Sequence, residues 1–276
     1  MAKKSVLVTG CSAGGIGYAL AEQFQKCSLT VFATARTVSK MDGLKDLPNI
    51  TLIPLDVTSP SDIDAAVAEV RAHTAGKLDY LVNNSGQSLH MPTLDQDIES
   101  AKAMFEVNFW GVFRMVKAFA PLLIEAKGTV VNIGSINGYL HPPFSGVYSA
   151  SKAAGHSLFE TLHFELSPLN IRVLNVVTGS IRTNISKNIL NIKLPQDSFY
   201  LPAEIYLEKM NQGVAHPNQT DPSVYAEQTV QDILSGATRN TWRGANSFTT
   251  RYLGPILPGF IKDYILTNGT NLDQVG

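Results

Sequence analysis

Residues 5–17 read Ser5-Val-Leu-Val-Thr9-Gly10-Cys-Ser-Ala-Gly-Gly-Ile16-Gly17, and this stretch decides the fold. The short apolar run at 6–8 predicts a buried strand, and Ile16 opens a pattern typical of a helix. A glycine loop between a strand and a helix lets backbone N–H groups and the helix N-terminus meet a phosphate. We therefore expect this loop to bind the pyrophosphate of a dinucleotide, the alternative being a purely structural turn.

Short β-branched runs recur along the first two thirds of the chain, with helical patterns between them. The strand-like runs are 6–8, 30–33, 52–53, 80–82, 129–133 and 173–177. The main helical patterns are 16–25, 61–73, 101–125 and 149–166. Strands that alternate with helices predict right-handed crossovers and a parallel sheet buried on both faces. The fold class is therefore α/β, a Rossmann-type doubly wound parallel sheet in three α/β/α layers.

Length and composition favour one domain over residues 1–276. The chain has 44% hydrophobic and 16% charged residues, which is typical of a globular enzyme. The net charge of -1 provides no basic field for nucleic acid. The two cysteines lack metal-ligand or disulfide-framework spacing, so we expect no metal and a reduced, cytoplasmic setting. We also expect no signal peptide and no membrane-spanning segment.

Arg36 follows the second strand, in Ala33-Thr-Ala-Arg-Thr37. A fold that prefers the unphosphorylated cofactor would place a carboxylate there, on the ribose hydroxyls. A guanidinium can instead make paired hydrogen bonds to a 2′-phosphate. We read the cofactor as NADPH, the alternative being that Arg36 is an ordinary solvated charge.

Ser135, Tyr148 and Lys152 are set thirteen and then four positions apart. Residues four apart share a helix face, so the Lys152 ammonium would lie beside the Tyr148 phenol and lower its pKa. A phenol tuned in this way can exchange a proton with a carbonyl or alcohol oxygen. Tyr-x-x-x-Lys alone also occurs on solvated helix faces, and it is the combination with the glycine loop that favours catalysis.

Together these motifs resemble the short-chain dehydrogenase/reductase family in its compact form, from Val6 to about Thr183. The glycine pattern of the family is matched with one extra residue in the turn. The resemblance implies that Ser135 orients a substrate carbonyl, that Tyr148 donates the proton and that Lys152 also bonds the nicotinamide ribose. It makes Asn108 the fourth catalytic residue, holding a water next to Lys152.

The resemblance also implies a set of cofactor contacts. Asp56 and Val57 correspond to the adenine-edge contact, and Thr183 to the nicotinamide contact. Thr178-Gly179 stands where the family has Pro-Gly, so the backbone before Thr183 is less constrained. The full predicted set is Gly10, Ser12, Gly15, Ile16, Gly17, Arg36, Asp56, Val57, Asn83, Tyr148, Lys152, Gly179, Ile181 and Thr183.

Within the family, the chain is similar to fungal NADPH-dependent 1-acyldihydroxyacetone-phosphate reductases. Four segments carry that similarity: 76–79, 83–88, 126–129 and 177–179. Fungal ketoreductases of secondary metabolism share much of it, so an aromatic or polyketide substrate stays open. Mostly apolar residues beside the expected cleft, including Pro142, Pro143 and Phe144, favour a bulky or lipid-like ketone. Arg182 is a candidate contact for a phosphate or an ordinary surface charge.

Two functions of other classes compete with reduction. Gly10-Cys-Ser12-Ala-Gly14 fits the Gly-x-Ser-x-Gly elbow of acyl hydrolases and lies at a strand-to-helix turn. Such an enzyme needs an acid and a histidine after later strands, and no histidine is placed there clearly. The chain could also be a nucleotide-sensing protein that binds NADP without turnover, although the intact catalytic set argues against this.

Two apolar segments lie outside the regular alternation. Residues 184–221 predict a lid or substrate loop with helical pieces, the alternative being a disordered linker. Residues 248–276 form an apolar C-terminal extension that could cover the cleft, pack on another subunit or touch lipid at the endoplasmic reticulum or a lipid droplet. Small and apolar residues on several faces of the helices at 101–125 and 149–166 predict a homodimer or homotetramer, the alternative being that these helices are deeply buried in a monomer.

Overall fold

The computed structural model describes residues 3–184, 193–215 and 218–275. Its strands are β1 (Ser5–Val8), β2 (Thr30–Ala35), β3 (Ile50–Pro54), β4 (Tyr80–Asn83), β5 (Thr129–Ile133), β6 (Arg172–Thr178) and β7 (Arg239–Arg243). They form one parallel sheet in the order β3-β2-β1-β4-β5-β6-β7. The predicted parallel α/β sheet is therefore confirmed, with one strand more than the apolar runs indicated.

Ten α-helices lie in the described part of the chain. They are α1 (Ile16–Lys26), α2 (Pro60–Thr74), α3 (Ile98–Phe105), α4 (Val112–Ala126), α5 (Asn137–Leu140), α6 (Gly146–Leu166), α7 (Glu204–Asn211), α8 (Pro222–Leu234), α9 (Ser247–Tyr252) and α10 (Gly259–Thr267). The start of α2 shows why the boundaries fall where they do: Ser59 accepts a hydrogen bond from the Asp62 backbone N–H and Pro60 takes the first helical position.

Two apolar cores cover the two faces of the sheet. Successive residues of a strand point to opposite faces, so Val6 and Val8 join the core under α1 and α8, and Leu7 joins the core under α2, α4 and α6. Phe24 and Tyr225 are fully buried on the first face, as is Phe119 on the second. The molecule is therefore a three-layer α/β/α fold in a single domain.

The strand order reverses between β1 and β4, which are direct neighbours. In open parallel sheets, the connections that leave two such strands run to opposite faces of the sheet. A crevice is left at the carboxyl ends of these strands. The glycine loop follows β1 and Asn84 follows β4, so both stand at this crevice. The topology thus predicts where a ligand binds.

A π-helical segment, Glu106–Gly111, joins α3 to α4. The sequence predicted one regular helix over 101–125, and its apolar pattern gives no sign of the extra residue per turn. Single π turns occur often at functional sites, and this one carries Asn108. The whole helix, Ile98–Ala126, is long and apolar enough to cross a membrane by those two criteria. A helix that packs on a buried sheet meets the same criteria, and α4 packs on β4 and β5.

The last third of the chain supplies β7 and the helices α7 to α10. β7 is an edge strand with the polar sequence Arg-Asn-Thr-Trp-Arg, which explains why a search for apolar runs misses it. Of the predicted lid at 184–221, residues 185–192 and 216–217 lie outside the described residues. The remainder contains α7, whose Leu207 and Met210 pack with Phe144.

Candidate active site

A cleft of about 590 Å³ crosses the carboxyl ends of the sheet strands. Ser135 lines it together with most of the predicted cofactor contacts. Those contacts are Gly10, Ser12, Gly15, Ile16, Arg36, Asp56, Val57, Tyr148, Lys152, Gly179, Ile181 and Thr183. Its volume lies within the usual range for sites that hold a cofactor or a drug-sized ligand. The structure therefore brings together residues spread over more than 170 positions of sequence.

The glycine loop is shaped to admit a phosphate. Gly10 has φ +73°, and a Cβ there would lie 3.1 Å from Asn84 Nδ2. No side chain caps the first turn of α1, which starts after Gly15, so its backbone N–H groups are left for a ligand. Gly17 does not line the cleft, because it lies under the loop, where a Cβ would be 2.5 Å from the Gly10 carbonyl oxygen. Its role is to let α1 approach the loop.

Two of the predicted adenosine contacts, Arg36 and Asp56, line the cleft. Arg36 is exposed at the end of β2, and its guanidinium has no ion pair within 3–184, 193–215 and 218–275. The Asp56 carboxylate accepts hydrogen bonds from the Thr58 backbone N–H at 2.9 Å and the Thr58 hydroxyl at 2.8 Å. Asp56 thus shapes the turn after β3, and Arg36 is free to receive an anion.

Asn84, and not the predicted cofactor contact Asn83, lines the cleft. Asn83 is the last residue of β4 and is buried in the sheet, so its side chain does not line the cleft. Asn84 does line it, and its Nδ2 donates to the Thr9 carbonyl oxygen at 2.7 Å and to the Gly10 carbonyl oxygen at 3.2 Å. Side chains alternate at the end of a strand, and this places the second asparagine against the glycine loop.

Ser135, Tyr148 and Lys152 line the same cleft. Tyr148 and Lys152 share one face of α6, and Ser135 follows β5. The Ser135 side chain lies close enough to the Tyr148 phenol to influence its pKa. Lys152 Nζ lies 5.9 Å from the centroid of the Tyr148 ring and donates a hydrogen bond to the Ile133 carbonyl oxygen at 3.1 Å.

The electrostatics of this cluster differ from expectation. Burial raises the pKa of Tyr148 above its ordinary value, and the nearby Ser135 side chain only partly opposes this. The expected depression by Lys152 is therefore absent from the protein alone, since the ammonium lies over the ring and binds the Ile133 carbonyl. Burial also lowers the pKa of Lys152 to about 8. The cleft keeps Tyr148 protonated, which is the form that can donate a proton.

Asn108 is buried in the π-helical segment, and its carboxamide binds protein groups. Its Nδ2 donates to the Gln87 carbonyl oxygen at 2.9 Å and the Ser151 hydroxyl at 3.0 Å, and its Oδ1 accepts from the Gln87 N–H at 2.8 Å. Only one lone pair of Oδ1 is left for the predicted water. The direct effect of Asn108 is to fix the 84–87 loop beside Lys152.

Two histidines that the sequence did not single out as site residues support the cluster. His156 Nε2 accepts the backbone N–H of Ser135 at 3.3 Å, and burial lowers the pKa of His156 to about 4. His90 Nδ1 lies 2.8 Å from the Ser145 hydroxyl, and its ring is 6.2 Å from that of Tyr148. The signal for His156 was its spacing of four from Lys152, which puts both side chains on one face of α6.

A second cavity, of about 740 Å³, opens from the same cluster. Ser135, Tyr148 and Thr183 line both spaces, so the Tyr148 side chain stands where they meet. The walls are predominantly apolar and include Trp242 and residues of the C-terminal extension. Such a cavity suits a substrate larger and less polar than a simple sugar.

The Gly-x-Ser-x-Gly reading gains no support from the geometry. Ser12 lines the cleft, and no histidine is among the described residues that line it. His90 and His156 instead lie beside Tyr148 and Ser135. A serine nucleophile needs a base within hydrogen-bonding reach. Acyl hydrolysis through Ser12 is therefore not favoured.

Comparisons with known proteins show the family of this chain. Residues 4–193 match the family model described as short chain dehydrogenase. A short-chain dehydrogenase of Penicillium ochrochloron is 45% identical over 265 residues, which cover 96% of this chain and 97% of that protein. An NADPH-dependent 1-acyldihydroxyacetone phosphate reductase of Schizosaccharomyces pombe is 42% identical over 215 residues, which cover 76% of this chain and 72% of that protein.

A solved structure supports the same assignment. The crystal structure of a short-chain dehydrogenase from Streptomyces avermitilis superposes with a TM-score of 0.79 at 28% identity, covering 99% of this chain and 98% of that one. The parallel sheet, the glycine loop and the Ser135, Tyr148 and Lys152 cluster are thus accompanied by similarity along almost the whole chain. This chain belongs to the short-chain dehydrogenase/reductase family and is an oxidoreductase that acts on CH–OH groups.

Proposed function

We propose that this protein is an NADPH-dependent carbonyl reductase that acts on a bulky, largely apolar ketone. One observation carries the proposal: Ser135 and Tyr148 stand at the junction of the cofactor cleft and the second cavity. A ketone in the second cavity would present its carbonyl group to these two hydroxyls and to the cofactor proposed for the cleft. The reverse reaction, oxidation of an alcohol, uses the same groups.

The cofactor proposed is NADP(H), since the residues of the cleft fit that group. The uncapped start of α1 and the crowded Gly10 provide backbone donors for a pyrophosphate. Arg36 supplies a free guanidinium at the end of β2 for a 2′-phosphate. The relative from Schizosaccharomyces pombe is named as NADPH-dependent. Thr183, Gly179 and Ile181 would hold the nicotinamide end.

The bound nicotinamide would supply the hydride to the carbonyl carbon. Ser135 would donate a hydrogen bond to the carbonyl oxygen and hold it beside Tyr148. Tyr148 would transfer its phenolic proton to that oxygen as negative charge develops. Lys152, as an ammonium, would stabilise the phenolate left behind, and its burial makes that interaction stronger than in water.

A ketone panel tests this function. Wild-type protein is mixed with NADPH and with long-chain acyl-dihydroxyacetone phosphate, aromatic ketones and polyketide-like ketones, and absorbance at the reduced nicotinamide band is followed. We expect oxidation of NADPH with at least one bulky ketone. Tyr148→Phe should abolish most of this turnover and still bind NADPH, because the phenol is the proton donor and is not the main cofactor anchor.

The same experiment separates reduction from its alternatives. Binding of NADPH without oxidation in the presence of every ketone would favour a protein that only senses the nucleotide. Substantial activity of Tyr148→Phe would contradict the proton donor. Ester hydrolysis that persists in Tyr148→Phe and disappears in Ser12→Ala would favour the acyl hydrolase.

A further inference from the structure

We propose that Arg251 and Lys262 bind an anionic group of the substrate, a phosphate or a carboxylate. This inference deepens the proposed function, on which it rests, by giving the substrate a second feature besides its ketone. Both side chains line the second cavity, the one that contains Ser135 and Tyr148. Arg251 belongs to α9 and Lys262 to α10, so two helices of the C-terminal extension converge on one space.

The charge of the cavity wall has one sign only. Arg251 and Lys262 line it, and none of the described lining residues is an aspartate or a glutamate. In the described part of the chain neither cation forms an ion pair; the Arg251 guanidinium lies 5.0 Å from the centroid of the Tyr252 ring. Arg251 is exposed and Lys262 is partly exposed. A concave surface that carries cations has a positive potential, which favours an anionic ligand.

The rest of the wall limits the ligand further. Most of the cavity surface is apolar, with Trp242, Leu257 and Leu266 among the lining side chains. A small inorganic anion would leave this surface in contact with water, at a cost that grows with its area. The ligand class that satisfies both parts of the wall is an amphiphile, with an apolar body, an anionic group and the ketone that meets Tyr148.

Arg182, the cation considered for a phosphate from the sequence, does not take part. It lines neither cavity, and its backbone N–H donates to the Thr220 carbonyl oxygen at 3.0 Å. Its charge lies close enough to Asp221 to help lower the pKa of that carboxyl group. The anion site is therefore assigned to residues that lie 69 and 80 positions further along the chain.

Direct binding tests the proposal without any need for turnover. Trp110 and Trp242 are the two tryptophans, and Trp242 lines the cavity, so Trp110→Phe leaves a single reporter. Octyl phosphate, octanoate and 1-octanol are titrated into this protein while its fluorescence is recorded. We expect one or both anions to bind at least tenfold more tightly than the alcohol, which corresponds to about 1.4 kcal/mol.

Variants test whether Arg251 and Lys262 cause the tighter binding of anions. In the Trp110→Phe background, Arg251→Gln and Lys262→Gln should each weaken binding of the anion about tenfold and leave 1-octanol unchanged. Lys209→Gln is the matched control, because Lys209 is an exposed lysine of α7 that does not line the cavity. Equal affinity for the anions and the alcohol, or equal losses in all three variants, would overturn the proposal.

Steady-state kinetics distinguish the anion site from the reductase activity on which it rests. A long-chain acyl-dihydroxyacetone and its phosphate are compared as substrates, together with a keto acid and its methyl ester. We expect kcat/KM to favour the anionic member of a pair, and Arg251→Gln to remove that advantage through KM. Reduction of both members at equal rates would refute the anion site and leave the reductase intact. Anion binding without any reduction would refute the reductase and leave the site intact.

Discussion

His156 accepts a hydrogen bond from the backbone N–H of Ser135 through its Nε2, at 3.3 Å. The ring is fixed by close neighbours, since a Cβ on Gly134 or Gly138 would lie 2.6 Å from it, and it packs on Tyr139 at 4.8 Å between centroids. Nδ1 is buried and has no hydrogen-bond partner among the described residues. The imidazole is therefore neutral, with its proton on Nδ1.

His156 is thus expected to act as a positioning residue. His156→Leu would leave the buried N–H of Ser135 unpaired, at a cost of about 1–3 kcal/mol, and would loosen the Ser135 hydroxyl. We expect kcat for ketone reduction to fall tenfold or more, with KM for NADPH nearly unchanged. His156→Gln, which restores an acceptor, should recover part of the loss. His163→Leu, on the same helix, is the control, and an equal loss there would contradict the positioning role.

The same histidine makes the protein sensitive to acid. Its pKa is lowered from 6.5 to about 4 in the folded state, so between these values the unfolded chain binds a proton that the folded protein does not. The free energy of unfolding should therefore fall as the pH decreases from 6.5 towards 4. Urea unfolding at pH 7, 5.5 and 4.5 measures this. His156→Gln should give a flatter profile, and identical slopes for both proteins would contradict the burial of a neutral imidazole.

We expect Lys152 to set an alkaline limit on activity. Its ammonium is the form proposed to stabilise the phenolate of Tyr148, and burial lowers the pKa of Lys152 to about 8. As the pH rises through this value the ammonium is lost, so kcat/KM for ketone reduction should decline above about pH 8. Initial rates from pH 6 to 10, with protein stability checked at each pH, measure the profile. A rate that stays constant to pH 10 would contradict this role.

We expect Arg36 to determine the preference of the protein for NADPH over NADH. Arg36→Ala removes the guanidinium proposed to bind the 2′-phosphate, a charge-assisted contact worth about 1.5–3 kcal/mol. We expect KM for NADPH to rise tenfold or more and KM for NADH to change little, so that NADH is the internal control. Steady-state kinetics with both cofactors test this. Equal use of NADH and NADPH by the wild-type protein would contradict the assignment.

Self-association stays a prediction, and the exposed aromatic residues near the π-helical segment give it a test. Trp110 is 45% and Phe113 41% exposed, and their rings lie 6.4 Å apart between centroids. If a second copy covers this face, Trp110→Glu should shift the protein to a smaller mass in light scattering coupled to gel filtration. Phe164→Glu, at another exposed aromatic residue, tests α6 in the same way. A wild-type protein that is monomeric at micromolar concentration would contradict the prediction.

Some features of the fold depend on local patterns and could be predicted. The alternation of apolar strands and amphipathic helices indicated a parallel sheet because each pattern has its own period. β7 could not be found in this way, since its residues are polar and it is held by pairing with β6. The π turn at Asn108 was equally hidden, because its residues also fit a regular helix.

For the site, the sequence alone determined which chemical groups are present: the glycine loop, Arg36, and the spacing of Ser135, Tyr148 and Lys152. Spacing within one helix or one loop fixes geometry locally, so those inferences needed no fold. Only the tertiary structure decided that Asn84 rather than Asn83 meets the glycine loop, that His156 supports Ser135, and that the C-terminal helices bring two cations to the second cavity. These relationships join residues distant in sequence, and their distances and burial are set by packing across the whole sheet.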